Sequence, residues 1–401
     1  MISHDEVRAW DAADALAPFR DRFALPKGLI YLDGNSLGAL PRQTAARLKS
    51  AVEQEWGEGL IRSWNDADWV NAPRRVGAKI ARLIGADEDE VVVADSTSVC
   101  LFKLLMAAGA TRAGAILAED DNFPTDAHVA SRVAQLLGRD YRPTPRDRIG
   151  DALTGDIAAA VLTHVDYRTA RRYDMAVLNA KGVPIVWDLS HSVGAVPLDL
   201  RREGARLAVG CGYKFLNGGP GAPAFLYVAR DLQATLDSPI AGWWGHKEPF
   251  DFSCRFEPAP DIARFLSGTP AMLGLLALES GVELMLEADA QARWEKSVRL
   301  HDLFATRIAA LCPELERVTP DEAGERGSHI AFRHPNALAI VRALIDRNVI
   351  GDFRTPDIAR FGLTPLTLGY EDVWKATEIM SDVMARGAWR DVRFQSGGPV
   401  T

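Results

Sequence analysis

Apolar and polar positions follow different rhythms along this chain, and the change of rhythm divides it. The first thirty residues read as a polar arm with one helix ending near Phe23, followed by a short strand at 30–32. Pro41 then opens a helix whose apolar positions Ala45, Leu48, Val52 and Trp56 fall on one face. From Val91 onward, short apolar runs at 91–93, 115–117, 158–162 and 184–187 read as buried strands, with helical patterns at 99–106 and 125–137 between them. Further strands are expected at 207–211 and 225–228. Strand–helix alternation of this kind predicts a mostly parallel sheet covered on both faces.

After Val228 the alternation stops. A long helical region over about 270–310 reads as a bridge between two domains, followed by short strands and amphipathic helices at 337–347 and 370–385. The expected fold is α/β. Residues 1–60 form an N-terminal arm and part of a small domain, and 61–270 a large domain. Residues 271–310 form the helical bridge, and 311–401 a smaller α+β domain with a polar, Gly-rich tail from Gln395.

Composition narrows the function without naming one. At 401 residues there is room for roughly two to three domains of ~100–200 residues. The net charge of -8 argues against a nucleic-acid partner, which would call for a basic stripe. Cys100, Cys211, Cys254 and Cys312 are scattered with no Cys-x-x-Cys pair, so free thiols in a reducing compartment are expected. The chain starts without a basic segment and apolar run, and no stretch approaches ~18 apolar residues. The expectation is a cytoplasmic protein with no membrane partner. The histidines show no metal-ligand spacing, and no metal is expected.

Three features carry chemistry. The run Ile185-Val186-Trp187 ends in Asp188, at the C-terminal end of a strand, where open α/β sheets bind ligands. Taken alone, Asp188 reads as a turn cap. A second apolar run, 207–211, delivers Tyr213 and Lys214 among glycines and apolar residues, where desolvation favours the neutral amine that Schiff-base formation needs. A lysine for the aldehyde carbon and a carboxylate for the ring nitrogen are the paired requirement of pyridoxal phosphate. For Tyr213 and Lys214 both to reach a cofactor the chain must turn there, and Gly210 and Gly212 offer the backbone freedom. The third feature is Asp95-Ser96-Thr97-Ser98 between a strand and a helix, an anion site by its hydroxyls and free N–H groups, or simply a helix cap.

On these residues, and on the segments 31–38, 122–126 and 242–246, the chain resembles the kynureninases, fold-type-I pyridoxal-phosphate enzymes related to the class V aminotransferases. The resemblance runs from Tyr31 to the helix after Tyr370. It implies hydrolysis of L-kynurenine to anthranilate and L-alanine in tryptophan catabolism, a chemistry that also accommodates the 3-hydroxy analogue. It implies that Lys214, Tyr213 and Asp188 are catalytic, with Tyr213 the acid/base of the later steps. Thr97 and Ser98 would hold the phosphate, and Phe123 would stack on the ring. Pro124, Thr125, Asp126, Thr163 and His191 would complete the cofactor site. Trp243 and Thr269 would reach the phosphate of a neighbouring subunit, making the protein a homodimer with shared sites. Arg360 would clamp the substrate carboxylate, with Ser36 and His246 beside the substrate. Cys100 stands where the family pattern has Asn.

Two other readings compete. A related cysteine desulfurase needs a nucleophilic Cys on a mobile loop, but Cys312 precedes Pro313 at a helix end and Cys254 follows an aromatic run. Residues 219–224 mimic a dinucleotide-binding fingerprint, but that motif must open a helix, and here two prolines lead into a strand.

Overall fold

The computed structural model of the chain describes residues 2–395. The polar Gly-rich tail lies outside the described residues apart from Gln395. The N-terminal arm forms a helix over His4–Ala12 and a 3₁₀ turn over Ala17–Arg22. It enters β1, Ile30–Tyr31, which pairs in parallel with a late strand at Val349–Ile350.

The central sheet holds β2 (Val91–Ala94), β3 (Ala115–Glu119), β4 (Tyr141–Thr144), β5 (Ile157–Thr163), β6 (Ile185–Asp188), β7 (Leu207–Gly210) and β8 (Ala224–Val228). Their spatial order is β2-β8-β7-β6-β5-β3-β4. From β7 through β4 every pairing is parallel, whereas β8 runs antiparallel to both of its neighbours. All but β4 are the apolar runs expected from the sequence, and β2, β3 and β5 to β8 are buried along their whole length, whereas the polar edge strand β4 carries no such run. One face packs on the helices Ala72–Ile84 and Met272–Glu287, the other on Thr97–Ala110 and Pro124–Leu137. The topology brings the C-terminal ends of β5, β6 and β7 side by side, with Thr163 and Asp188 as register partners.

The long region after Pro270 is two helices, not one. Met272–Glu287 ends at Ala288, and Asp289 caps Ala290–Leu311 by accepting from the Ala292 N–H. Leu275, Leu278 and Val282 of the first helix enter the core beneath the central sheet. Leu300, Leu303 and Phe304 of the second enter a separate core with Val7, Ile30 and the C-terminal elements. Those elements include a four-stranded antiparallel sheet of β9 (Glu316–Arg317), β10 (His329–Arg333), β12 (Asp352–Arg354) and β13 (Ile358–Gly362). The Val349–Ile350 strand is β11.

A second difference concerns the helix after Pro41. It runs over Arg42–Ser50 and then widens into a π-helical stretch over Ala51–Gly59. The expected apolar stripe faces outward: Ala45 is exposed already in the regular helix, and Val52 and Trp56 in the wider stretch are 42% and 57% exposed. Thr44 and Ala51 are buried instead, and the Thr44 hydroxyl donates to the Ser280 Oγ at 3.0 Å.

Candidate active site

A cavity opens at the C-terminal ends of β5, β6 and β7. Thr97, Ser98, Phe123, Thr125, Asp126, Thr163, Asp188, His191, Tyr213 and Lys214 line it, so most of the residues expected from the sequence meet here. Ser96, from the expected anion site, lines it too, and so do Tyr167 and Ser190, which the sequence reading does not single out. Tyr167 sits in the loop after β5 and meets the Phe123 ring edge-on at 5.3 Å. An isolated aromatic in a connecting loop carries no periodic signal by which a sequence reading would select it.

Beyond Gly210 the chain leaves the sheet and turns. The Asn217 N–H donates to the Lys214 carbonyl at 3.0 Å and the Gly218 N–H to the Gly212 carbonyl at 2.9 Å. The turn expected at Tyr213–Lys214 is therefore present, but for another reason than the one anticipated. Neither Gly210 nor Gly212 has a positive φ; Asn217 does, at 56°. The two glycines are needed for close approach: a Cβ at 210 would lie 2.5 Å from the Phe225 ring, and one at 212 would lie 2.4 Å from the Pro223 carbonyl. Lys214 Nζ ends 3.3 Å from His191 Nε2. Burial, then the nearby Lys214 and Arg360 charges, holds His191 well below the usual imidazole range.

Opposite the lysine lie two buried carboxylates. Asp188 accepts from the Ser190 N–H at 2.7 Å, and Asp126 accepts from the Thr163 hydroxyl at 3.3 Å. That hydroxyl also meets Asn122 Oδ1 at 2.5 Å. Among the described residues neither carboxylate has a cation at ion-pair distance. Burial first, and the charge of Asp188 next, push Asp126 well above the usual carboxylate range. A buried carboxylate pair without a cation is expensive, and a protonated heteroaromatic nitrogen set against Asp188 would relieve it.

The third wall is the start of the Thr97–Ala110 helix. Its N-cap residue Ser96 makes no side-chain capping bond, so the expected cap reading does not hold. An uncapped helix start with hydroxyls at 96–98 suits an anionic group. The preceding Asp95 has φ 41° and is held by the buried Lys103, which also donates to the Phe265 carbonyl at 2.6 Å. Cys100, one turn in, is buried and donates to the Ala94 carbonyl at 3.1 Å, which makes it a packing group. A flat cationic ring with an aldehyde carbon and an anionic arm thus finds a matching donor set on all three sides.

The remaining expected residues lie outside this cavity. Pro124 is the first residue of its helix. Arg360 is buried behind Tyr167, with Nε donating to Asp352 Oδ1 at 2.8 Å, Nη2 to Ser36 Oγ at 2.9 Å and Nη1 to the Tyr167 carbonyl. Ser36 donates to Asp352 Oδ2 at 2.6 Å, and Arg354 pairs with the same oxygen at 2.8 Å. This network of Asp33, Asp352 and Arg354 was not foreseen. His246 is engaged locally: its Nδ1 accepts from the Glu248 N–H at 2.9 Å and its Nε2 lies 3.2 Å from the Arg255 carbonyl. Trp243 is 38% exposed, and Thr269 is exposed on the adjoining segment. Residues 219–224 lead into β8 and open no helix, which removes the dinucleotide reading. Cys312 is buried at a helix end, and Cys254 is exposed outside the cavity.

Comparison with known proteins agrees with this geometry. Residues 294–380 match the family model of the kynureninase C-terminal domain. A kynureninase of Burkholderia mallei strain SAVP1 is 45% identical, and one of Pseudomonas fluorescens 44% identical, each over the full length of both chains. Among solved structures, a complex of the cystine C–S lyase C-DES superposes with a TM-score of 0.79 at 18% identity, covering 89% of this chain and 98% of that one. A cysteine desulfurase from Thermococcus onnurineus NA1 gives 0.78 at 16% identity, covering 92% and 98%. At such low identity these two establish the fold alone.

Proposed function

The chain belongs to the kynureninase family, and from that premise we propose that it hydrolyses the Cβ–Cγ bond of L-kynurenine to anthranilate and L-alanine, with pyridoxal phosphate carried on Lys214. The observation that carries the site assignment is the buried Asp126–Asp188 pair, short of a cation and sharing one cavity with the lysine. When bound, the cofactor supplies an electron sink for the carbanion formed on the substrate.

The chain's own residues do the rest. Asp188 would hold the ring nitrogen protonated, and Asp126 would back it, with Thr163 and Asn122 fixing its orientation. Thr97, Ser98 and the uncapped helix start would hold the phosphate, with Thr125 beside them and Pro124 setting the entry of the neighbouring helix. Phe123, held edge-on by Tyr167, would stack on the ring. Lys214 Nζ would hold the cofactor, and its amine is the base placed to remove the α-proton of the substrate. Tyr213 keeps its phenol protonated, because burial raises it further above its usual range, and donates a proton to the product carbon. Asp352 holds the Arg360 guanidinium from one side, so a substrate carboxylate competes with the Tyr167 carbonyl for Nη1, next to Ser36.

Trp243 and Thr269, exposed and outside their own chain's cavity, complete the site of a second copy, with His246 close to that junction. The free cysteines support a cytoplasmic setting, and the two cores support a division into a large domain at 61–270 and a small one at 311–401. The test is direct. Purified protein incubated with L-kynurenine should release fluorescent anthranilate, and borohydride reduction with peptide mapping should place the pyridoxyl group on Lys214. No anthranilate, or a label on another lysine, would overturn the reading.

A further inference from the structure

The segment that leaves the cofactor cavity at His191 goes on to line a second cavity from Gly194 onward, and the two share no lining residue. The second cavity opens between the end of the Ala72–Ile84 helix, the 194–198 segment and the junction of the two helices that meet at Ala288 and Asp289. Its volume of 320 Å³ stands at the lower end of the range of small-molecule sites, ~300–1,000 Å³. Leu83, Val196, Leu198, Leu286 and the ring of Trp294 give it apolar walls.

The charged side chains lining it are Arg82, Asp289 and Arg293, and their pairing is incomplete. Arg293, in the first turn of the Ala290–Leu311 helix, is only 8% exposed. Its Nη1 donates to the Gly194 carbonyl at 3.0 Å. Its Nε is buried without a partner, and among the described residues no carboxylate stands at ion-pair distance from the guanidinium. Asp289, one turn earlier, is engaged instead as the helix cap, accepting from the Ala292 N–H at 2.7 Å. Arg82 reaches the cavity from the Ala72–Ile84 helix, is exposed, and its side chain makes no hydrogen bond or ion pair among the described residues.

A guanidinium cannot shed its proton to escape burial, and a buried charge without a counter-ion is costly. Burial holds Arg293 below the usual guanidinium range, and the charge of Asp289 offsets this only in part. Two guanidinium groups against one carboxylate leave a single positive charge, which matches a monoanion. A carboxylate meets the planar fork of a guanidinium with two parallel hydrogen bonds, and apolar walls with an indole suit a flat hydrocarbon body. We propose that this cavity is a second ligand site, taking an aromatic monocarboxylate whose carboxylate pairs with Arg293 and Arg82 and whose ring lies against Leu83, Leu198, Leu286 and Trp294. The site stands apart from the kynurenine-hydrolase reading, because binding here is read without turnover.

The test is a titration of para-fluorobenzoate into the holoenzyme, followed by fluorine NMR, with Arg293→Met and Arg82→Glu as variants. Neither residue lines the cofactor cavity. The native protein should bind the probe, and para-fluorobenzamide, the same ring without the charge, should bind at least about tenfold more weakly. Arg293→Met should weaken para-fluorobenzoate binding by about tenfold or more, and Arg82→Glu, which turns a rim cation into an anion, by a similar factor. A guanidinium that only pins the Gly194 carbonyl predicts something else: a lowered melting temperature in Arg293→Met with unaltered probe affinity. That outcome overturns the site, and so does a native protein that binds neither probe or binds both alike. If Arg293→Met fails to fold, Arg82→Glu at its exposed position decides, weakened binding supporting the site and unchanged affinity overturning it.

Discussion

Tyr213 and Lys214 are chain neighbours that face one cavity, and the phenol of Tyr213 carries a prediction about protons. Burial holds the Tyr213 phenol in its neutral, donating form. Tyr213→Phe should therefore bind cofactor and pass the first deprotonation normally, yet turn over about 10²–10⁴-fold more slowly. Rapid-scan spectra alongside steady-state rates would check this, and near-normal turnover would reduce Tyr213 to a packing contact. Asp33 makes a different prediction. Burial first, and the charge of Asp352 next, push Asp33 up to about 8. Asp352 is itself pushed up by burial, but Arg360 and Arg354 win and hold it down to about 2. The native pair thus keeps one proton. The unfolded chain gives it up near ~3.9. The native state then binds more protons between about 4 and about 8, so this contribution to stability is full below that window and fades as pH rises through it. Denaturant titrations of Asp33→Asn should show a flatter pH dependence there, by on the order of 1–3 kcal/mol. Lys214 and Asp188 were legible in the sequence because their chemistry is distinctive and each sits at the end of an apolar run. Asp33 and Asp352 were not, because their meaning comes from a contact between distant parts of the chain.

At the level of elements, periodicity found what periodicity can encode. Six of the seven strands of the central sheet are continuous apolar runs at the positions expected, and only the edge strand Tyr141–Thr144, polar and half-exposed, carries no such signal. The helix after Pro41 departs from the 3.6-residue template at Ala51, where the turn widens, although Ala45 is exposed already before that point. In the helical 270–310 region the apolar pattern does not mark the position of the break that Asp289 caps. Least legible was how the segment 31–38 serves the site. Gly38 lies against the Lys214 turn: its N–H donates to the Tyr213 carbonyl at 2.9 Å, and a Cβ there would sit 2.2 Å from the Lys214 carbonyl. Tyr31 steadies the same loop by donating to the Leu37 carbonyl at 2.7 Å. Gly38→Ala should push the lysine turn aside, costing about 1–3 kcal/mol of stability as overpacked sites do. Thermal denaturation and cofactor titration would show a lowered midpoint and weaker cofactor retention. An unchanged midpoint and full retention would mean the turn yields freely, and the loop would then not set the lysine's position.

For the whole molecule the question is what the exposed apolar surface is for. Trp243, Phe250 and Phe252 cluster in the open, with Trp243 and Phe250 rings 5.9 Å apart and Phe252 75% exposed. Trp243 abuts Trp244, which packs on Trp64 at 5.2 Å, and Trp64 follows the exposed Leu60 and Ile61. The outward-turned Val52 and Trp56 precede them. A soluble chain seldom leaves so many large apolar side chains near one another without a partner to cover them. Lys103 ties the Asp95 loop beside the proposed phosphate site to Phe265, close in sequence to Thr269. The surface expected to meet a second copy is thus linked to the cofactor pocket. If each site is completed across a two-fold interface, mutations on opposite sides of it should complement. Lys214→Ala removes the cofactor's anchor within its own chain, and Thr269→Asp places a negative charge against the partner's phosphate. Each homodimer should be inactive. In a mixed dimer one site carries both defects and the other carries neither, so exchange of the two inactive proteins should restore up to about half of native activity per mixed dimer. Native mass spectrometry would count the mixed dimers, and anthranilate fluorescence would report the recovered turnover. Absence of recovery with mixed dimers present and both parents inactive would place Thr269 in its own chain's site and end the shared-site proposal.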